Sequence, residues 1–497
     1  MGINPGRMAL GERLRFLVGD SVVYGGAAAA SKALALITFP ILTHHFSVVE
    51  FGLLDLFNVF AGFLAILVVF GQDSAIARLF AEQPDEQSRR EMVSQSLAFQ
   101  LGVAALFLLP VFLWSDLVAR RLTDAPVGRQ CLLLVLAQVP FLVLLNFARN
   151  LLKWTFSRSP FMWLSLGLVT ANTIVLVAAV TFFDIRVKTV FIMSLGVQAG
   201  FGLYGIFLVR RWLIVPSCFD YLRQLIPFAF PLGLICSAAA FTPALERIVI
   251  QSLFGGRDVG LYAAGAKVAM LMALVVQAFQ TAWGPFSLAI YKESNAIETY
   301  NWVLKGMATV LCTAALLLAA MSEALLNLLA TKSYAGASVV VFPLVMGLVV
   351  EALGWITEIG SNFAKRPHYS LGSFCVYLVA AGIVVYILAP FLGIAAVAYG
   401  VLAAQAAKAG VAFALAQHAF PLNWEYRGVV LLLILTTGIG IIGGRFGSAF
   451  GWGAILTNNL LGCVVILSVG WRYLITADER QKIIGIFNSR RAAFKKS

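Results

Sequence analysis

Apolar runs of membrane-spanning length follow one another along almost the whole chain, parted by charges, prolines, glycines and short polar clusters. A helix needs about 20 predominantly apolar residues to cross a bilayer. Breaking the sequence at its polar punctuation predicts six spans in the first half, near 20–43, 50–72, 94–115, 130–150, 161–183 and 189–209. Six more follow near 227–253, 259–290, 302–322, 337–361, 369–390 and 392–417, then a further two near 428–444 and 449–471. The expected fold class is an all-α polytopic membrane protein with about fourteen transmembrane helices.

The pattern also repeats. Displacing the sequence by 208 positions, without a gap, sets Phe46, Glu50, Gly52 and Leu53 over Phe254, Asp258, Gly260 and Leu261. The register continues through the next apolar run, where Ala61, Ala65, Val68 and Gln72 fall on Ala269, Ala273, Val276 and Gln280. That offset links the second span to the eighth. A step of an even number of helices keeps the direction of insertion, so the two halves are expected to be related by a pseudo-two-fold axis along the membrane normal, as in parallel-repeat transporters. The expected organisation is a cytoplasmic segment 1–19, a six-helix bundle 20–210, a second six-helix bundle 222–420, two extra transmembrane helices 426–472 and a basic cytoplasmic tail 473–497.

Composition excludes an ordinary soluble domain. Of 497 residues 61% are hydrophobic and 12% charged, where globular proteins carry about 25% charged residues. The mean hydropathy is +0.90. Arg7, Arg13 and Arg15 precede a first apolar segment too long for a signal-peptide core, so that span is expected to stay in the chain. The net charge of +13 gathers in segments that the positive-inside rule assigns to the cytoplasm, including the tail from Arg472 to Lys496, which places both termini inside. A tail ending Arg-Arg-Ala-Ala-Phe-Lys-Lys-Ser meets anionic headgroups more simply than nucleic acid. The six cysteines are scattered without metal-ligand or redox spacing, and neither disulfide nor metal is expected.

No connecting segment exceeds about 20 residues on this reading, the longest running over 73–93. A membrane enzyme would need an ordered loop domain or a constellation of His, Asp, Glu or Cys as acid, base or nucleophile. His44, His45, His368 and His418 stand at helix ends, and nothing resembles a triad or a phosphate-cradling loop. The chain reads as a carrier, with no enzymatic activity and no cofactor beyond a proton or sodium gradient.

Charges inside the spans then become the candidates, because an ionisable residue at the centre of a membrane helix costs roughly 2.5 to 3.5 kcal/mol on insertion scales. Lys267 lies eight residues into the eighth span and replaces Val59 of the repeat. Lys32 follows the small-residue run Gly25 to Ser31, with Tyr24, Ser31 and Thr38 recurring every seven residues as a polar stripe. Gln277, Gln280 and Thr281 share a face of the eighth helix. Lys32, Arg247, Lys267 and Lys408 are the candidate substrate-binding cations; Asp55, Glu351 and Glu358 are candidates for ion coupling, and Tyr24, Ser31, Gln277, Gln280 and Thr281 for polar lining. The structural alternatives are a pair between Lys32 and Asp55, a pair between Lys267 and Glu351, and a Glu358 that already reaches the cytoplasmic surface. The cations outnumber obvious partners. A surplus of positive charge in a water-filled cleft attracts an anion such as a pyrophosphate, at roughly 4 kcal/mol of Coulomb attraction per contact near 4 Å and an effective dielectric of about 20, before desolvation.

Phe51-Gly-Leu, the segment GQDSAIARLF from Gly71 to Phe80, and above all VGLYAAGAKVAMLMALVVQAFQTAWGPF from Val259 to Phe286 resemble the polysaccharide transporter family of the multidrug, oligosaccharidyl-lipid and polysaccharide exporter superfamily, which includes the O-antigen flippases. The likeness runs from about residue 18 to 420. It implies two bundles in a V around a cationic cleft, alternating access, residence in the bacterial cytoplasmic (inner) membrane, and undecaprenyl-pyrophosphate-linked oligosaccharide as the substrate, flipped for O-antigen, capsule or exopolysaccharide assembly, with polymerase machinery as a partner. Glu246 departs from it, since an aspartate is expected before Arg247. The competing readings are a multidrug or cation antiporter of the same superfamily, whose cleft should be acidic and aromatic, a membrane glycosyltransferase or polymerase, which should carry a large outer loop, and a non-transporting scaffold.

Overall fold

A computed structural model describes residues 26, 30, 33–34, 36–80, 82–83, 85–183, 185–216, 218–291, 293, 296–364, 368–474 and 480. Among these, regular structure is helical throughout. Thirteen helices are long and apolar enough to cross a membrane, and each falls on one of the expected spans. The remaining expected span, 20–43, lies largely outside the described residues, apart from a helical stretch over 36–45, here α1. The protein is an all-α, multi-pass membrane protein.

The order continues with α2 (Val48–Val69), α3 (Gln72–Leu79), α4 (Glu86–Leu113), α5 (Ser115–Leu122), α6 (Gly128–Trp154), α7 (Arg158–Phe182), α8 (Val187–Val209), α9 (Asp220–Phe254) and α10 (Gly256–Ile290). It ends with α11 (Ala296–Leu329), α12 (Ser338–Thr357), α13 (Ile359–Phe363), α14 (His368–Leu392), α15 (Ile394–Ala419), α16 (Tyr426–Phe450) and α17 (Trp452–Val469). Two compact units emerge: residues 1–267 with 329–334, and residues 268–328 with 335–497.

The segment 73–93, expected as a loop, is mostly helix. Gln72, Ala75, Ile76 and Leu79 recur at helical spacing and are buried, so α3 lies with that face on a core containing Met92, Leu145, Ala148, Leu151 and Leu225. Asp85 then starts α4 eight residues earlier than the apolar run suggested, its carboxylate accepting from Ser88 N–H at 2.7 Å.

The acid that the repeat conserves has a plain local purpose. Ser47 and Glu50 form a reciprocal capping box at the start of α2: Glu50 N–H donates to Ser47 Oγ at 3.3 Å, and Ser47 N–H donates to Glu50 Oε2 at 3.0 Å. Its counterpart Asp258 occupies the first turn of α10, where a negative charge complements the helix dipole. The two helices begin at equivalent positions, Val48 and Gly256. Gly255, at φ 87°, makes the turn between α9 and α10.

The equivalent residues also touch. A Cβ on Gly52 would lie 2.6 Å from Gly260 N and 2.8 Å from Gly256 O; a Cβ on Gly260 would lie 1.9 Å from Val48 O. In repeat numbering these contacts are reciprocal, because Val48 corresponds to Gly256 as Gly52 does to Gly260. The first turns of α2 and α10 thus cross backbone to backbone about a local pseudo-two-fold, and only glycine permits the approach.

In the second unit, α15 runs against α14 and α12. Its small residues allow this: Gly400 meets Val385 and the carbonyl of Ala381, and Ala396, Ala398 and Ala404 are fully buried. The Phe342 ring of α12 packs against Gly440 of α16, and Trp452 Nε1 donates to Ala320 O at 3.1 Å.

Candidate functional site

In the first unit, three helices converge on one set of charges. Arg247 of α9 is 7% exposed in its side chain and sits between two carboxylates: its Nε donates to Asp55 Oδ2 of α2 at 3.0 Å, and its Nη1 to the neighbouring Glu246 Oε2 at 2.9 Å. Tyr262 of α10, wholly buried, donates its hydroxyl to the same Glu246 oxygen at 2.9 Å, and its ring lies 5.0 Å from the guanidinium carbon. Lys267, also of α10, approaches Asp55 Oδ1 at 3.8 Å. The cluster balances two cations against two carboxylates. Such bonding is what permits ionised groups to be buried at all.

Its members are unequal. Asp55 is 6% exposed, Glu246 15% and Lys267 33%. Arg247 is therefore committed to internal partners, whereas Lys267 has one long contact among the described residues and a side chain that is one-third exposed. Asp55 pairs with Arg247 and Lys267, so the alternative that paired Lys267 with Glu351 gives way, whereas the alternative that paired Asp55 with Lys32 falls on a residue outside the described ones; Asp55 lies one helical turn before Val59, on the helix that α10 crosses. Glu246, one carbon longer than the expected aspartate, reaches Arg247 and Tyr262 together.

In the second unit, Glu351, Glu358, Gln405 and Lys408 line one small crevice with Trp355. Only one hydrogen bond joins them among the described residues, Gln405 Nε2 to Glu351 Oε2 at 3.4 Å. Lys408 stands 6.0 Å from the Phe374 ring. Beside this crevice, sharing Gly354 and Ala409, opens an apolar groove of about 660 Å³ between α12, α15 and α16.

Lys32, Tyr24 and Ser31 lie outside the described residues, as does the side chain of Thr281. Gln277 and Gln280 are half-buried on α10. Two participants escaped the sequence reading. Tyr262 reads as an ordinary aromatic after a helix start; its distance of five residues from Lys267 was the available signal. Arg149 of α6 donates to Asn146 and makes no carboxylate pair among the described residues; Lys153, one turn on, lies over the Phe161 ring at 5.3 Å. Arg149 lies near the end of the expected span 130–150, where a cation carries no hydropathy signal of its own.

The family follows from the first half of the chain, where this cluster resides. A family model described as polysaccharide biosynthesis protein matches residues 17–291. The chain belongs to this family. The expectation drawn from the Gly71 to Phe80 and Val259 to Phe286 segments is thereby met. A curated relative, an uncharacterized membrane protein of Haemophilus influenzae, is 22% identical to this member of the family over 301 residues, 59% of this chain and 71% of that protein. Among solved structures, the lipid II flippase MurJ in an inward closed conformation matches with a TM-score of 0.73 at 13% identity, covering 92% of this chain and all of that one. An inward-facing multidrug resistance MATE transporter of the MOP superfamily matches at 0.61 with 17% identity, covering 78% and 94%. The fold is that of the flippases and transporters of this superfamily.

Proposed function

We propose that the protein flips undecaprenyl-pyrophosphate-linked oligosaccharide repeat units from the cytoplasmic to the outer leaflet of the bacterial inner membrane, by alternating access, for O-antigen, capsule or exopolysaccharide assembly. The observation that carries this reading is the position of Lys267 inside a membrane helix, its side chain one-third exposed and its ammonium held among the described residues by one 3.8 Å contact to Asp55. A pyrophosphate arriving beside it exchanges that contact for a charge-assisted one, while Asp55 keeps its bond to Arg247. Lys32 is the second cation of the proposed site, and both termini are placed in the cytoplasm by the charge of the segments flanking the spans. The family supports a role in polysaccharide synthesis, and the MurJ-like fold supports a lipid-linked cargo.

A second reading, antiport of a drug or other cation, draws on the Glu351 and Glu358 crevice and on the MATE-like fold. The same carboxylates also serve the first reading as the place where a proton or sodium ion couples to transport. One experiment separates them: flipping of lipid-linked repeat units in vesicles, with membrane abundance measured in parallel. Lys267→Ala and Lys32→Ala should lose flipping at normal abundance, and Lys→Arg should retain part of it, because a phosphate tolerates either head group. Normal flipping by a well-expressed Lys267→Ala protein removes the pyrophosphate assignment. A deletion strain that accumulates no lipid-linked repeat unit, yet becomes drug-sensitive, favours the antiporter.

A further inference from the structure

The apolar groove of the second unit does not end blindly. Tyr426 lines it and also lines a polar crevice of about 460 Å³; Leu304 faces the groove where the next residue, Lys305, faces the crevice. We infer that the two together hold a membrane phospholipid bearing a primary ammonium, its phosphodiester headgroup in the crevice and one acyl chain in the groove.

Length supports one chain from one leaflet. The groove wall on α16 runs from Tyr426 to Thr437, about 16 Å at 1.5 Å per residue, or half of a hydrocarbon core about 30 Å thick. Its lining is Leu353, Leu402, Ala406, Gly410, Val430 and Leu433 with few polar atoms. One acyl chain fills such a length, whereas a polyprenyl chain several times longer would be seated only in part.

Charge selects the headgroup. Lys305 is buried and binds Glu425 at 2.5 Å, while the Glu425 side chain stays 61% exposed. Arg427, exposed, makes no carboxylate pair among the described residues. Among the described residues that line the crevice, Lys305, Glu425 and Arg427 leave one net positive charge, which suits a singly charged phosphodiester better than a pyrophosphate set against the Glu425 carboxylate. The exposed face of that carboxylate is the natural acceptor for an ammonium. Trp424, which also lines the crevice, has its indole N–H buried with no acceptor, so a headgroup oxygen would supply one after a small shift of the ring. Tyr426 and Tyr473 expose their rings at this end of the spans, as aromatic residues do at a membrane interface.

The inference is independent of the cargo, and native mass spectrometry of the purified full chain tests it. Dioleoyl-phosphatidylethanolamine is titrated against dioleoyl-phosphatidylglycerol, undecaprenyl phosphate and inorganic phosphate. One phosphatidylethanolamine should remain bound. Arg427→Gln, which removes the headgroup cation, and Ala406→Phe, which fills the groove, should each weaken its retention about tenfold or more. The lipid should raise the melting temperature of the wild type and not of either variant; Arg427→Gln, an exposed change, preserves the test if Ala406→Phe folds poorly. Equal retention by the wild type and Arg427→Gln overturns the site. Displacement by undecaprenyl phosphate or by inorganic phosphate overturns the choice of occupant, as does equal retention of phosphatidylglycerol.

Discussion

The two sets of intramembrane charges are built on opposite plans. In the first unit Asp55, Glu246, Arg247 and Tyr262 bond one another at 2.9 to 3.0 Å across three helices, and Lys267 stands at the edge. In the second, Glu351, Glu358 and Lys408 share a crevice in which a single 3.4 Å bond from Gln405 is the only hydrogen bond among the described residues. A bonded network fixes helices and has little left for a ligand. A loosely bonded one keeps carboxylates free to exchange partners, which is what ion coupling requires. The same residue types therefore divide into a bonded set and a loosely bonded one, and partners set the division.

The strongest challenge to that division is Arg247→Met. It takes the guanidinium from two buried carboxylates, leaving Asp55 the long Lys267 contact and Glu246 the Tyr262 hydroxyl, and removing one partner of a buried pair typically costs about 3–5 kcal/mol. Membrane abundance should fall severely, with partial recovery when Asp55→Asn is added; undiminished abundance of the single variant would place Arg247 outside the structural network. Next in size is Gly260→Ala, whose Cβ would stand 1.9 Å from Val48 O. Overpacking typically costs about 1–3 kcal/mol, so the melting temperature in detergent should drop clearly, and an unchanged value would show that the helix crossing yields easily.

Glu351→Gln, on the loose side of the comparison, keeps an amide oxygen to accept from Gln405 and should shift stability by less than about 1 kcal/mol. Its effect should appear in transport driven by an imposed ion gradient, which is lost while substrate binding persists. Unaltered driven transport would take Glu351 out of the coupling proposal. Smallest of all is Asp85→Ala, which removes a solvent-exposed cap from α4. The Ser88 N–H and hydroxyl hold the Asp85 carboxyl below its ordinary value. Its stabilising effect is therefore complete above the unfolded carboxylate value, about 3.9, and is lost as pH falls through the lower folded one. Melting curves of the wild type and Asp85→Ala should differ slightly at pH 6 and converge in strong acid; a difference that persisted there would assign the effect to something other than the cap.

Helix existence was legible because hydropathy and length report directly on the bilayer, and thirteen spans lie where the apolar runs put them. Helix starts were less legible. Those at Glu86 and Gln72 depend on Asp85 and on burial of Ile76 and Leu79, polar and tertiary effects that a hydropathy window averages away. The repeat could be seen in Gly52 and Gly260, but not that these glycines touch, since identical spacing says nothing of distance. Among the charges, Asp55 and Lys267 stood out for their cost. Their pairing did not, because residues 192 and 212 positions apart meet only through the packing of α2 with α9 and α10. Tyr262 was invisible for a related reason: a phenol becomes a hydrogen-bond donor of consequence only once Glu246 is known to lie beside it.

The crossing of Gly52 with Gly260 speaks to ancestry. Contacts in which each residue meets its own counterpart are the mark of an isologous dimer, where one patch is complementary to itself. If the two halves descend from one shorter chain that paired with a copy of itself, this point was a residue packing on its twin. Any side chain larger than hydrogen would then have met the facing backbone at both equivalent positions at once, doubling the clash of every substitution. Fusion removed the identity of the two positions and left the geometry, so either glycine could since have drifted only if the other helix withdrew.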